Sequence, residues 1–342
     1  MRKQKVWMER ATVDKKAERE RKRLILEANK QLISAPKKTM KSMGLVSFDP
    51  SGAFCFEQGR WVKVYEVTGS IERAPEVALK TKSRIRITER IDYLASGRGK
   101  EKFYISLIAK GDLYEEVRAL FAEDERILQE MIGVRTLTVD ETMEKIFMVL
   151  GEERSFSYAS FVRAGKDLLK EITPDITEKT DHFSIGGTFG ISMFLKQYPE
   201  EVTQDTLSLL GQLGCPVLLT FDLVGVDAQD KEDYVRTLEK MYARTLSSDS
   251  VEDFLNVSGQ ITLLCDSKDA LEIVLKTAVT IFNRNGYLLS PLFAVQKESF
   301  LSQVSLGLLD YKILRNVSVK TMEDIFRREY GDKDKIRTDE AV

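Results

Sequence analysis

Gly99-Lys100 is the nearest this chain comes to a phosphate-binding loop. Such a loop needs glycines, so that backbone N–H groups can surround phosphate oxygens, then Lys and a hydroxyl residue for phosphate and magnesium. Here Leu94 stands five residues before Gly99, where glycine is required, and Glu101 follows Lys100. The step also precedes a strand pattern, not a helix. Gly186, Gly187 and Gly190 are out of register for a dinucleotide fingerprint and read as glycines that bulge or bend a strand. Asp222, Asp227, Asp230 and Asp233 carry oxygen ligands of the kind magnesium takes. Their spacing fits no calcium loop, and aspartates ahead of a helix also serve as caps. His182, the single histidine, sits beside Asp181 as an acid–base pair would. No nucleophile motif accompanies it, and a strand-edge histidine is the simpler meaning. The three cysteines, Cys55, Cys215 and Cys265, make no zinc pattern and suit a reducing compartment. No catalytic constellation emerges, so this chain by itself is expected to be no enzyme, with no cofactor and no bound metal.

The elements around these residues alternate between strand and helix patterns. Gly52–Phe56 and Trp61–Val67 flank Gln58-Gly59, which predicts a β-hairpin. Residues 76–94 read as helix. After the break at Ser96-Gly97-Arg98-Gly99, Lys102–Ile108 reads as a strand. Asp112 can cap a helix whose apolar positions, from Leu113 through Val117 and Phe121 to Met131, recur at helical spacing. Gly133 stands where a C-terminal cap belongs. Val134–Val139 then reads as a strand, and Asp140 opens a helix carrying Met143, Ile146, Phe147 and Leu150.

The same arrangement recurs later: strand Gln260–Leu264, a helix capped by Asp269 and closed by Gly286, strand Tyr287–Val295, and a short helix Glu298–Val304. Between these units lies a polar helix-plus-connector at 151–181, broken by Pro174. His182–Leu195 then reads as a strand, Thr203–Leu213 as a helix, Pro216–Val226 as an apolar strand and Tyr234–Leu246 as a helix. The pattern predicts an α+β fold: two lobes of mixed antiparallel sheet with packed helices, split β-α-β and ferredoxin-like in character. The expected division is a basic helical arm at 1–43, a first lobe at 44–150, the connector, a second lobe at 182–322 and a polar tail at 323–342.

Charge is divided unevenly. The 342 residues carry a formal net charge of −2, yet residues 1–43 hold 14 Lys/Arg against 5 Asp/Glu, a net of +9, which leaves −11 on the rest. The arm, with Lys15, Lys16, Arg19, Arg21, Lys22 and Arg23 close together, has no apolar stripe. It reads either as a solvated helix or tail, or as an electrostatic anchor to an anionic membrane surface or acidic partner, with Trp7 and Met8 available for shallow insertion. Direct DNA binding is disfavoured, because the acidic body would oppose it. No apolar run approaches the ~20 residues that span a bilayer, and the charged N-terminus is unlike a secretory signal.

Asp181-His182-Phe183-Ser184-Ile185-Gly186-Gly187-Thr188-Phe189-Gly190, running into Phe194-Leu195-Lys196-Gln197-Tyr198-Pro199, resembles the N-terminal region of the type IV secretion and conjugation ATPases of the CagE/TrbE/VirB class. In that family such a strand ends in Tyr-Pro before a helix. Gly52–Val67 resembles its opening hairpin, Gln260–Leu264 with Asp269–Phe282 its late strand and helix, and Gln296–Leu301 the segment leading toward the motor domain. The resemblance covers roughly residues 44–322. Ser305 stands where the family often has proline, and the motor's phosphate-binding loop and magnesium-binding acid have no counterpart in this sequence, so no catalytic residue carries over. The resemblance implies a non-catalytic component of a conjugation machine, cytoplasmic and peripheral at the inner face of the cell membrane. It would contact membrane subunits of the channel and a motor ATPase. Half of a split or truncated transfer ATPase, or a nucleic-acid-binding accessory protein, are the alternatives.

Overall fold

In the computed structural model, residues 29–92, 102–173, 175–202, 206–226, 253–307 and 313–330 are described, with scattered residues of 18–27 and 229–236. Every strand pairing among the described residues is antiparallel: hairpins join neighbouring strands, and each single-helix crossover skips one position, which is filled by a strand running the opposite way. The first lobe follows the order β1 (Ile33–Ser34), α1 (Lys37–Met43), β2 (Leu45–Phe48), β3 (Ala53–Phe56), β4 (Arg60–Val67), α2 (Ala74–Lys80), β5 (Arg84–Ile91), β6 (Lys102–Lys110), α3 (Tyr114–Met131), β7 (Val134–Thr136) and α4 (Val139–Leu150). Two short helices, α5 (Tyr158–Ala164) and α6 (Leu168–Ile172), lead to the second lobe. It contains β8 (Thr177–Glu178), β9 (Phe183–Ile185), β10 (Thr188–Gln197), a 3-10 turn at Ser208–Gln212, β11 (Val217–Gly225), β12 (Phe254–Cys265), α7 (Lys268–Arg284), β13 (Leu288–Pro291), α8 (Gln296–Gln303), β14 (Arg315–Ser318) and α9 (Val319–Tyr330).

The pairings resolve the anticipated lobes into a duplication. In the first, β7, β4, β6 and β5 lie side by side, all antiparallel. In the second, β13, β10, β12 and β11 do the same. Numbered within each lobe, both orders are 4-1-3-2, that of a β-α-β-β-α-β unit. The helical crossovers, α2 and α3 in one lobe, the 3-10 turn and α7 in the other, bury their apolar sides on the same face of the sheet. Each lobe presents its second strand at the junction. There β5 and β11 pair from Ile85↔Leu223 to Ile91↔Val217, so a single fourteen-stranded sheet runs through both.

The core lies on both faces of this sheet. Ile85, Ile87, Ile105, Leu107, Leu219, Phe221, Ile261 and Leu263 point to the face covered by α2, α3, α7 and α9. The opposite face, covered by α4, α5, α6 and α8, gathers Phe48, Phe54, Val64, Phe147, Phe161 and Phe300. Full burial of such side chains contributes roughly 1.5–3 kcal/mol each.

Several sequence expectations are corrected here. The helix expected over 76–94 is α2 followed by β5, whose Arg-Ile-Arg-Ile alternation has the period of a strand. Asp112 does not cap α3. That cap comes from Asn29, whose Oδ1 accepts from the Tyr114 N–H at 3.0 Å while its Nδ2 donates to the Asp112 carbonyl. Thr138, not Asp140, caps α4 through a capping box with Glu141, and Ser267, not Asp269, caps α7. Gly186 and Gly187, with φ of 54° and 95°, form the two-residue turn of the hairpin β9–β10, a conformation glycine adopts at little cost. Gly190 has another purpose: a Cβ there would lie 2.3 Å from the Phe183 ring. Residues 33–43 belong to the body, since β1 pairs with β2 and α1 packs through Met40 and Met43. The tail expected from 323 begins as α9, which buries Met322, Ile325 and Phe326. Of the helix expected over Tyr234–Leu246 only Val235 and Arg236 are described, both helical, while the break at Ser96–Gly99 and the start of the helix expected from Thr203 lie outside the described residues.

Candidate functional site: a buried polar layer at the lobe junction

Where the lobes meet, one face of the sheet is apolar except for the buried Glu89 of β5, and the other is polar. Alternation along β5 sends Ile85 and Ile87 to the apolar side and Arg84, Arg86 and Thr88 to the other. The same period places Thr220 and Asp222 of β11, Gln260 and Thr262 of β12, Ser106 of β6 and Ser192 of β10 on that second side. All are buried. Charged residues are seldom fully buried without a partner, and the register supplies one, because Asp222 lies directly opposite Arg86. Arg86 grips the carboxylate with two prongs, Nε to Oδ1 at 2.6 Å and Nη2 to Oδ2 at 2.7 Å, and Arg84 Nη1 adds a third contact at 3.0 Å. Burial alone would push the Asp222 carboxyl up. The Arg86 and Arg84 guanidiniums outweigh that and hold it below the usual carboxylate range.

The cover of this face is also polar. Helix α8 turns Gln296, Ser299, Ser302 and Gln303 inward, each 0% exposed. Arg86 Nη1 donates to the Ser302 carbonyl, and Thr88 Oγ1 donates to the Gln303 carbonyl at 2.7 Å. Ser106 and Ser305 share a hydroxyl bond at 2.8 Å. Gln296 Oε1 accepts from the Ser192 N–H at 2.7 Å, Ser299 donates to Gln260, and Gln303 Nε2 donates to Thr262. Residues with positive φ stand on both sides of the helix, Ala294 at 60° and Ser305 at 63°. The layer is not saturated: Thr220 Oγ1, Ser258 Oγ, Gln260 Nε2 and Gln303 Oε1 have no protein partner. Chemically the arrangement fixes one lobe to the other and seats α8. It holds a carboxylate already neutralised by two guanidiniums and presents no nucleophile with a base beside it.

The residues singled out in the sequence are not brought together. Asp222 is in the buried layer, whereas Asp233 is exposed on a helix and paired with Arg236 at 3.3 Å. Asp227 and Asp230 lie outside the described residues, as do Gly99 and Lys100. Among the described residues no group of three or more His, Cys, Asp and Glu is placed to hold a metal. His182 Nδ1 is 2.7 Å from Asp181 Oδ1 at the surface, and that bond lowers the Asp181 carboxyl. Cys215 and Cys265, fifty residues apart in sequence, face one another just beyond the paired ends of β11 and β12. Both thiols are reduced and buried, and desolvation raises Cys215 to about 12. Of the arm, Arg19 and Arg23 are exposed, with Arg23 3.2 Å from Glu20. Trp7, Lys15, Lys16, Arg21 and Lys22 lie outside the described residues. Sequence reasoning missed the Arg84–Arg86–Asp222 cluster. The signal was present in the strand period of Arg84–Ile91, which aligns two arginines on one side.

No family model matches the chain, and no curated protein does. Among solved structures, the chain is similar to one described as "Crystal Structure of Aclacinomycin Oxidoreductase". The identity is 10% and the TM-score 0.31, over 66% of this chain and 41% of that one. A likeness that low carries no argument about this chain's activity.

Proposed function

We propose that the chain is a non-catalytic component of a conjugative type IV secretion system, resembling the membrane-docking N-terminal region of its ATPase. The observation that carries this reading is the segment 181–199. The residues of the resemblance fold as one hairpin, β9–β10, ending at Tyr198-Pro199, and Tyr198 is pinned by the Gly259 N–H, which donates to its hydroxyl at 2.8 Å. The buried layer supports a structural role, since its one carboxylate, Asp222, is held by both Arg86 and Arg84. No helix among the described residues is long and apolar enough to cross a membrane. The reading therefore places the protein at the cytoplasmic face through its basic arm and through contacts with membrane subunits of the channel, beside a motor ATPase.

Photo-crosslinking from exposed positions in transfer-competent cells tests this. Crosslinks to small membrane subunits of the channel are expected. Crosslinks confined to cytosolic proteins or DNA overturn the reading. Magnesium-dependent ATP hydrolysis by the purified chain that disappears on Lys100→Ala would instead establish an enzyme.

A further inference from the structure

Two of the three cysteines meet at one end of the second lobe's sheet. In the register of β11 with β12, Val217 lies opposite Leu263. The Leu264 N–H donates to the Pro216 carbonyl at 3.0 Å, which carries the ladder one pair further. Pro216 and Leu264 are thus a hydrogen-bonded pair, and the pair after them, Cys215 with Cys265, is of the other kind. At such positions the Cα atoms are about 4.5 Å apart and the side chains closest. A disulfide needs Cα atoms roughly 4.4–6.8 Å apart. Both cysteines belong to the apolar core, and their thiols share a hydrogen bond. The backbone holds each in place. Cys265 pairs on its other side with Phe189 of β10. Cys215 precedes Pro216, which confines it to extended conformations. Gly214 before it has open space where a Cβ would stand, so Cys215 has room for a small adjustment. Cys55 is placed differently: it is buried in β3 of the first lobe, its thiol on the Phe56 carbonyl at 3.7 Å.

We infer that Cys215 and Cys265 are a two-electron oxidation site, which a low-molecular-weight disulfide converts into a cross-strand bridge. One thiol loses its proton, attacks the small disulfide and releases the first small thiol. The second loses its proton, attacks the protein sulfur of the mixed disulfide and releases the other. One S–S bond forms in the protein, one breaks in the reagent, and two protons and two electrons end on the two small thiols. Desolvation raises both protein thiols, Cys215 to about 12, so exchange is slow and the pair is unlike a catalytic dithiol. The product ties the start of β11 to the end of β12 and closes a loop of the fifty residues between the two sulfurs' positions in the sequence. In a reducing compartment the pair stays reduced, and it bridges when the small-thiol pool becomes oxidised. The inference goes beyond the docking role and does not depend on it.

The test equilibrates the full chain and its Cys55→Ala variant in buffers of reduced and oxidised glutathione, folded and in urea. Equilibrium is approached from the reduced and from the oxidised side, so that slow exchange does not decide the result. Free thiols are trapped with N-ethylmaleimide, and the bridge is located by mass spectrometry of unreduced peptides. A bridge between Cys215 and Cys265 is expected in both folded chains, with Cys55 alkylated in the full chain. Because the fold has already brought the two sulfurs together, the bridge should be favoured in the folded over the unfolded Cys55→Ala chain on the order of a thousandfold, the loop-closure value for fifty residues without strain. The bridged chain should also melt several degrees higher and return to its former Tm with dithiothreitol, whereas Cys265→Ala should show no such shift. The comparison of one chain in its two redox states decides the matter even if that variant folds poorly. A folded chain whose two thiols stay alkylated where the unfolded chain bridges overturns the site. So does a preference below about a hundredfold, a bridge to Cys55, a stable glutathione adduct, or a bridge that lowers Tm.

Discussion

The two faces of the sheet at the lobe junction are built from the same strands and solve the same problem in opposite ways. On one, Ile85, Ile87, Leu219, Phe221 and Ile261 pack beneath helices. That face needs only volume and hydrophobicity, and tolerates approximate fit. On the other, Arg84, Arg86, Thr88, Thr220, Asp222 and Gln260 meet a helix that is itself polar. That face works only if donors and acceptors match in position. A non-directional interior can be repacked, whereas a polar one has a few arrangements that satisfy it and many that leave groups stranded. The apolar face therefore supplies stability, and the polar face supplies the relative placement of the lobes and of α8.

The most severe way to break the comparison is Asp222→Ala. Two guanidiniums would remain buried without their anion, and a loss of about 3–5 kcal/mol is expected, read from the urea midpoint. The same carboxylate makes the polar face sensitive to acid. Its folded-state value lies below that of the unfolded chain. Its contribution is therefore fully present above the ordinary aspartate range near 4 and lost as pH falls through the depressed folded value. Asp222→Asn should flatten the stability–pH curve in that acid window and leave its slope near neutrality unchanged. An unaltered acid slope would show that other carboxylates govern it.

On the apolar face the corresponding change is Ile261→Ala, with an expected cost of about 2–5 kcal/mol depending on how far the site collapses. Gln260→Ala, the next residue and on the opposite side, should cost clearly less, because Gln260 already has one amide nitrogen without a partner. Equal costs would erase the distinction between the faces.

How far the sequence disclosed these faces depended on the range of the interaction. The hairpin β3–β4, the strand–helix–strand runs β6–α3–β7 and β12–α7–β13, and hence the two α+β lobes were legible, because their signals lie within a few residues. Arg84–Ile91 was misread as helix because Arg and Glu are good helix formers. What makes it a strand is pairing with β11, more than a hundred residues away. The Asn29 cap on α3 was hidden for the same reason, its partner being 85 residues on. The polar layer was illegible as a site. An arginine in a strand reads as solvent-facing until its partner's register is known, and no local pattern announces that the helix above it is polar too.

A middle-sized test lies at the outer part of the polar side. Gly190→Ala would drive a methyl into the Phe183 ring, which also packs on Phe300 at 5.1 Å between centroids. Overpacking of this kind costs about 1–3 kcal/mol. Thermal unfolding should show the loss, and Phe183→Leu should return part of it by opening the space. A neutral Gly190→Ala would mean that β9 shifts freely, which would weaken the case that the 181–199 hairpin is a fixed docking element.

The smallest expected effect is the sharpest. Thr220 and Thr262 stand on the same polar face of neighbouring strands, both fully buried, and differ only in their partners. The Thr262 hydroxyl accepts from Gln303 Nε2 at 2.8 Å and shares a 2.6 Å bond with Ser192, whereas Thr220 Oγ1 meets no protein partner. Replacing Thr by Val keeps the shape and removes the hydroxyl. At Thr262 the change strands Gln303, whose Oε1 is already unpaired, and should cost about 1–3 kcal/mol. At Thr220 it removes a buried group that contributes no bond, so stability should stay within about 0.5 kcal/mol or rise by up to about 1 kcal/mol. Paired urea curves for Thr262→Val and Thr220→Val decide the point. If both lose stability equally, the Thr220 hydroxyl has a partner after all, and the face is a saturated network. If they separate as expected, the layer is matched at its anchors and loose between them. A surface of that kind holds α8 in one place without binding it tightly.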